Sequence, residues 1–106
     1  MKEKNVQELK SMLNSDKDFT LLDVRTDNEV LISKISDKSY HIPMNDIPSR
    51  INELDNNKEI IVYCKSGKRS ARVCEYLNNN KFSNIYNLKG GISAWSNEID
   101  SNILII

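Results

Sequence analysis

Two cysteines and a single histidine are the only thiol and imidazole ligands that this chain of 106 residues offers a transition metal. With no second histidine and no Cys-x-x-Cys pair, there is no metal-ligand cluster on which to base a function. The cysteines, Cys64 and Cys74, have nine residues between them and no secretory leader ahead of them, so they do not form a disulfide framework. Met1-Lys2-Glu3-Lys4-Asn5 runs into a charged amphipathic segment, not an apolar one. No apolar run approaches the length of a membrane span. These absences predict a cytoplasmic protein with reduced thiols and no membrane partner. A charge excess is missing too. Fifteen Lys and Arg balance 15 Asp and Glu, which gives no general case for a nucleic-acid partner. The length suits one core and not two, so residues 1–106 are expected to be a single domain.

What stands out is Glu59-Ile60-Ile61-Val62-Tyr63-Cys64-Lys65-Ser66-Gly67-Lys68-Arg69-Ser70-Ala71-Arg72. Its β-branched and aromatic start predicts a buried strand, with Cys64 where the strand stops. Four loop residues follow, and then Arg69 to Leu77 predicts a helix. A loop entering a helix N-terminus presents free backbone N–H groups and partial positive charge. Turned inward around a sulfur atom, such donors form an anion cradle and lower a thiol's pKa. Lys65, Lys68, Arg69 and Arg72 strengthen that field. The alternative is a structural cysteine closing a core strand. Three cations and a glycine directly after the sulfur favour a reactive thiol.

The rest of the chain reads as alternating helices and strands. Asn5-Val6-Gln7-Glu8 has the form of a capping box, and Val6, Leu9, Met12 and Leu13 give a helix over residues 5–14. Phe19 to Val24 is too apolar for a half-exposed strand, which implies burial on both faces and a parallel sheet. Thr26-Asp27-Asn28-Glu29 is a second capping box, opening a short helix through Ile32. Asp23 and Arg25 are expected to fix the chain by ion pairing, with Glu29 as partner for Arg25. Tyr40 to Pro43 predicts a strand holding His41 as a structural residue. Asn45 to Leu54 predicts a helix capped by Asp46, with Pro48 in its first turn. Cys74 falls on the buried side of the post-loop helix with Val73 and Leu77, which argues against a resolving thiol. Asn84 to Leu88 predicts a strand, Gly90-Gly91 a sharp turn, and Ile92 to Asn97 a short helix anchored by Trp95. The apolar end, Ser101 to Ile106, fits either an edge strand or an interface.

Three landmarks carry a resemblance. The loop from Cys64 through Gly67, Arg69 and Ser70 resembles the active-site loop of rhodanese-like sulfurtransferases. Leu21-Leu22-Asp23-Val24-Arg25 with Glu29 resembles the family's first core strand. Asn87-Leu88-Lys89-Gly90-Gly91-Ile92-Ser93-Ala94-Trp95 resembles its closing motif. Residues 33–43 depart from the family pattern: Ser33-Lys34-Ile35 stands for Gly-His-Ile, no Gly-Ala follows, and one residue is extra. The resemblance implies an α/β fold with a central, mostly parallel sheet, helices on both faces, and the reactive loop at the sheet's C-terminal edge. It implies that Cys64 takes a sulfane sulfur from an anionic donor such as thiosulfate and passes it, as a persulfide, to cyanide or a thiol. Lys65, Ser66, Gly67, Lys68, Arg69 and Ser70 would bind the substrate, without a metal or organic cofactor. A cysteine phosphatase or arsenate reductase is disfavoured, because its loop needs one residue more than the four between Cys64 and Arg69. A persulfide carrier or binding module serving a protein sulfur donor or acceptor has the same sequence features. A redox pair of Cys64 and Cys74 would require an exposed Cys74.

Overall fold

The β-branched and aromatic runs become the strands of one sheet. In the computed structural model, which describes residues 1–106, these are β1 (Glu3–Lys4), β2 (Phe19–Asp23), β3 (Ser39–His41), β4 (Glu59–Tyr63) and β5 (Ile85–Leu88). Their order is β1-β5-β4-β2-β3, and every neighbouring pair is parallel. Parallel neighbours need crossovers, and the helices supply them. Alternation along β4 then sorts the core. Ile60, Val62 and Cys64 join Val73, Cys74 and Leu77 of α4 (Lys68–Asn78) on one face. Ile61 and Tyr63 join Val6 and Leu9 of α1 (Val6–Leu13), with Ile92 and Trp95 of α5 (Gly91–Glu98), on the other. Two apolar layers therefore sandwich the sheet.

Both capping boxes form. Asn5 and Glu8 exchange hydrogen bonds at the start of α1, and Thr26 and Glu29 do the same at the start of α2 (Asp27–Ile32). The register sets β2 flush with β4, Asp23 opposite Tyr63, so the strands end together at the edge where Cys64 emerges. Asp23 and Arg25 are both buried there. No helix is long and apolar enough to cross a membrane.

Three expectations are corrected. Residues 45–54 do not make one helix: 3-10 turns at Met44–Asp46 and Ile51–Glu53 flank a single α turn, α3 (Ile47–Arg50). Asp46 makes no cap bond, because its backbone is already near-helical (φ −94°, ψ −5°) where a cap must be extended. Arg50 leaves the helical well (φ −117°, ψ 11°), which ends α3. Second, the apolar end is no strand. Ile103 and Ile105 pack on the α1/α5 layer, and Ser33 and Ser96 hydroxyls donate to the carbonyls of Leu104 and Ile103. Third, the sheet edge beside β5 is filled by β1, whose two residues are too few to carry a sequence signal. Between α2 and β3, the Tyr63 hydroxyl bonds the backbone N–H of Ile35 and the Ser39 hydroxyl, tying the irregular segment to β4.

Candidate active site

Cys64 leaves the end of β4 with only 1% of its surface exposed. Its sulfur receives the N–H of Gly67 at 3.1 Å and that of Ser70 at 3.4 Å, and lies 3.3 Å from Ser70 Oγ. Ser70 is in the first turn of α4, whose N–H groups have no intrahelical acceptor. Gly67 is the helix cap at φ +104°, a left-handed conformation that suits glycine. That turn aims its N–H at the sulfur.

The loop's carbonyls explain why its N–H groups face inward. Cys64 C=O accepts from Ile92 N–H at 2.9 Å, and Lys65 C=O from Ser93 N–H at 3.0 Å. Both donors belong to the first turn of α5, so the acceptors are drawn outward and the amide hydrogens turn toward the sulfur. The approach requires Gly91: a Cβ there would lie 2.5 Å from the oxygens of both Cys64 and Lys65. The paired glycines are thus part of the cradle.

Burial by itself pushes the Cys64 thiol up. The Ser70 hydroxyl, followed by the N–H groups of Ser70, Gly67 and Ser66, outweighs it and holds the thiol below the ordinary range. Cys74 is fully buried in the α4 layer, and burial, reinforced by the nearby Cys64 charge, pushes it up to about 12. The two cysteines are therefore unequal. Cys74 is a core residue, as its spacing predicts.

Glu29 does not pair with Arg25. Both of its oxygens hold Arg69, at 2.7 and 2.9 Å, and this bidentate bond leads the causes that bring its carboxyl down to about 2. Arg25 folds back instead on Asp23 (Nη2 to Oδ2, 2.8 Å), donates to Ser33 C=O at 2.6 Å, and lies over the Tyr63 ring. Two residues apart at one strand end, Asp23 and Arg25 need no long reach to meet. Lys65, Ser66, Lys68 and Arg72 are exposed around the loop. Of the four cations, only Arg69 is committed to a carboxylate in the fold. His41 Nε2–H donates to the Arg25 carbonyl, 2.6 Å away, which is a structural position. No three His, Cys, Asp or Glu side chains converge to hold a metal ion.

One residue at the site escaped the sequence reading. Asn87 on β5 is 4% exposed; its Oδ1 accepts from Ser70 Oγ at 2.5 Å and its Nδ2 donates to Gly67 C=O at 3.1 Å. The signal was a lone amide inside an apolar strand, Ile85–Leu88, since a buried amide needs partners. With donors focused on one sulfur and no base beside it, the arrangement suits nucleophilic and persulfide chemistry.

The family model described as "Rhodanese-like domain" matches residues 5–98. A Bacillus subtilis protein named "Putative sulfurtransferase YtwF" is 40% identical over 98 residues, covering 92% of this chain and 93% of its own. A "Sulfurtransferase" of Allochromatium vinosum is 36% identical, covering 85% of this chain and 83% of its own. The crystal structure of a rhodanese-like domain protein from Staphylococcus aureus superposes with a TM-score of 0.86 at 36% identity, over 100% of this chain and 99% of that one. These relatives support sulfur transfer as the general chemistry, and the chain belongs to the rhodanese-like family.

Proposed function

We propose that the protein is a sulfurtransferase moving a sulfane sulfur from an anionic donor such as thiosulfate to cyanide or a thiol, through a persulfide on Cys64. The observation that carries this reading is the Cys64 sulfur held by the Gly67 and Ser70 N–H groups at the start of α4. The Cys64 thiolate attacks the outer sulfur of thiosulfate. A new S–S bond forms, the donor's own S–S bond breaks, and its electron pair leaves on sulfite. Cys64 then bears a terminal sulfur with one negative charge, for which the loop N–H groups from Lys65 to Ser70 are the donors. The acceptor attacks that terminal sulfur, and the electron pair of the S–S bond returns to Cys64.

The loop divides the remaining work by charge. Lys65 and Lys68, exposed and without a carboxylate partner, attract the dianionic donor and steady the leaving sulfite. Arg69 adds less than its charge suggests, because Glu29 neutralises it. Ser66 and Gly67 contribute backbone donors. A thiol only 1% exposed favours a donor that offers one projecting sulfur atom. In this reading residues 1–106 act as one rhodanese-like domain in the cytoplasm, and its acceptor there is a small thiol or a protein thiol.

Intact mass after incubation with thiosulfate tests the proposal. The wild type should gain one sulfur atom and lose it on adding cyanide, and Cys64→Ser should gain none. Absence of any gain sinks the thiosulfate mechanism and moves the weight to a persulfide carrier loaded by a protein donor, or to a binding module.

A further inference from the structure

Ser70 has one hydroxyl proton and two claimants for it. Its Oγ lies 2.5 Å from Asn87 Oδ1 and 3.3 Å from Cys64 Sγ. The Asn87 amide cannot turn over, because its Nδ2 donates to Gly67 C=O at 3.1 Å and a reversed amide would set oxygen against oxygen. While Cys64 is a thiol, all three groups are satisfied: S–H donates to Ser70 Oγ, and Ser70 O–H donates to Asn87 Oδ1. Once the sulfur is anionic it has no proton to give and needs donors. Ser70 can serve it only by swinging its proton away from Asn87, leaving a buried carbonyl oxygen bare. Ser70 and Asn87 are 0% and 4% exposed, so the loss is felt in full.

We propose that Asn87 is a positioning residue that competes with the Cys64 sulfur for the single Ser70 proton, and so sets the balance between the resting thiol and the anionic sulfur. Its other arm works the opposite way: the bond to Gly67 C=O steadies the residue whose N–H serves the sulfur. Asn87 is therefore a two-handed control, holding one donor in place and another in reserve. Its meaning for turnover rests on Cys64 being the sulfur-transfer nucleophile; the competition itself does not.

Other titratable groups surround the sulfur without entering this contest. They are Lys68, Arg69 and Cys74 on α4, Glu29 on α2, Asp23 at the end of β2 with Arg25 just beyond it, and Lys65 in the loop. None of their side chains hydrogen-bonds to the Ser70 hydroxyl or the Asn87 amide.

The test is a double-mutant cycle read by ultraviolet thiolate absorbance against pH, below the tyrosine range of about 10. Cys74, pushed up to about 12, stays silent there, so the curve belongs to Cys64. Wild type, Asn87→Ala, Ser70→Ala and the double variant are compared. Competition predicts that Asn87→Ala raises the Cys64 ionisation constant about threefold to tenfold relative to its effect in the Ser70→Ala background. Equal effects in the two backgrounds, or a coupling of opposite sign, would overturn the proposal and leave Asn87 a scaffold for Gly67. If Asn87→Ala does not fold, Asn87→Val suits a strand and is read by the same criterion. The Gly67 carbonyl keeps its bond from Ala71 N–H in either variant. Because no sulfur donor is used, failure here is distinct from failure of persulfide loading by mass.

Discussion

Arg69 reaches from the first turn of α4 to Glu29 on α2, and each carboxylate oxygen takes one of its N–H groups. Helix α2 buries no residue of its own, and this clasp ties it to the helix that follows Cys64, while the Thr26 cap fixes Glu29 within α2. Glu29→Gln should lower stability by about 1 kcal/mol, less than a buried bidentate pair is worth because Arg69 is partly exposed. The pH dependence has a definite sign. The folded carboxyl titrates near 2, below its ordinary 4.5, so the stabilisation is complete above the unfolded value and fades as pH falls from there toward 2. Denaturant midpoints of wild type and Glu29→Gln should converge across that window. Parallel curves would mean the clasp adds nothing.

Gly91 and Gly67 make a matched pair for substitution. Gly91→Ala places a Cβ 2.5 Å from two carbonyl oxygens at φ +57°, and should cost about 3 kcal/mol while opening the Cys64 loop. Gly67→Ala meets ordinary contacts no closer than 3.6 Å and pays only for its left-handed backbone, about 1–2 kcal/mol. Urea denaturation ranks the two. The reverse order would contradict the close packing of α5 on the loop.

Removing Asp23 leaves the Arg25 guanidinium buried, with the Ser33 carbonyl as its remaining hydrogen-bond acceptor. Asp23→Ala is expected to destabilise by about 3–5 kcal/mol, while changing both residues together to apolar side chains costs less than the sum. A double variant as unstable as the summed singles would show that the pair is not coupled.

Cys74→Ala tests the inequality of the thiols. It should leave persulfide loading intact and cost about 1–2 kcal/mol for the small cavity it leaves. Native alkylation should label Cys64 alone at neutral pH, since burial keeps Cys74 protonated. Labelling of both sites with similar rates would remove the distinction.

Both capping boxes, the buried strands and the inward face of α4 were legible because each is a local pattern of period, cap or branching. The cradle was legible as a cysteine between a strand and a helix. Its closure was not, because the groups that complete it come from elsewhere in the chain. Glu29 was paired with Arg25 on nearness in sequence, whereas the fold brings it to Arg69, 40 residues on. The part Asn87 plays depends on β5 lying beside β4, a pairing between strands distant in sequence that no local pattern encodes. Asp46 failed as a cap for a local reason: the preceding 3-10 turn had already bent its backbone.

The tie between the loop carbonyls and the first turn of α5 has a consequence for synthesis. As the chain emerges from a ribosome, Cys64 is complete well before Asn87, Gly91 and Ile92, the residues that turn its neighbours' amides inward. Domains form from the N-terminus outward during translation, but this cradle cannot close until β5 and α5 have arrived. Until then Cys64 is an ordinary cysteine, no more reactive than any other. The anion cradle around Cys64 is thereby made conditional on a finished fold, since its closing groups are the last to be synthesised.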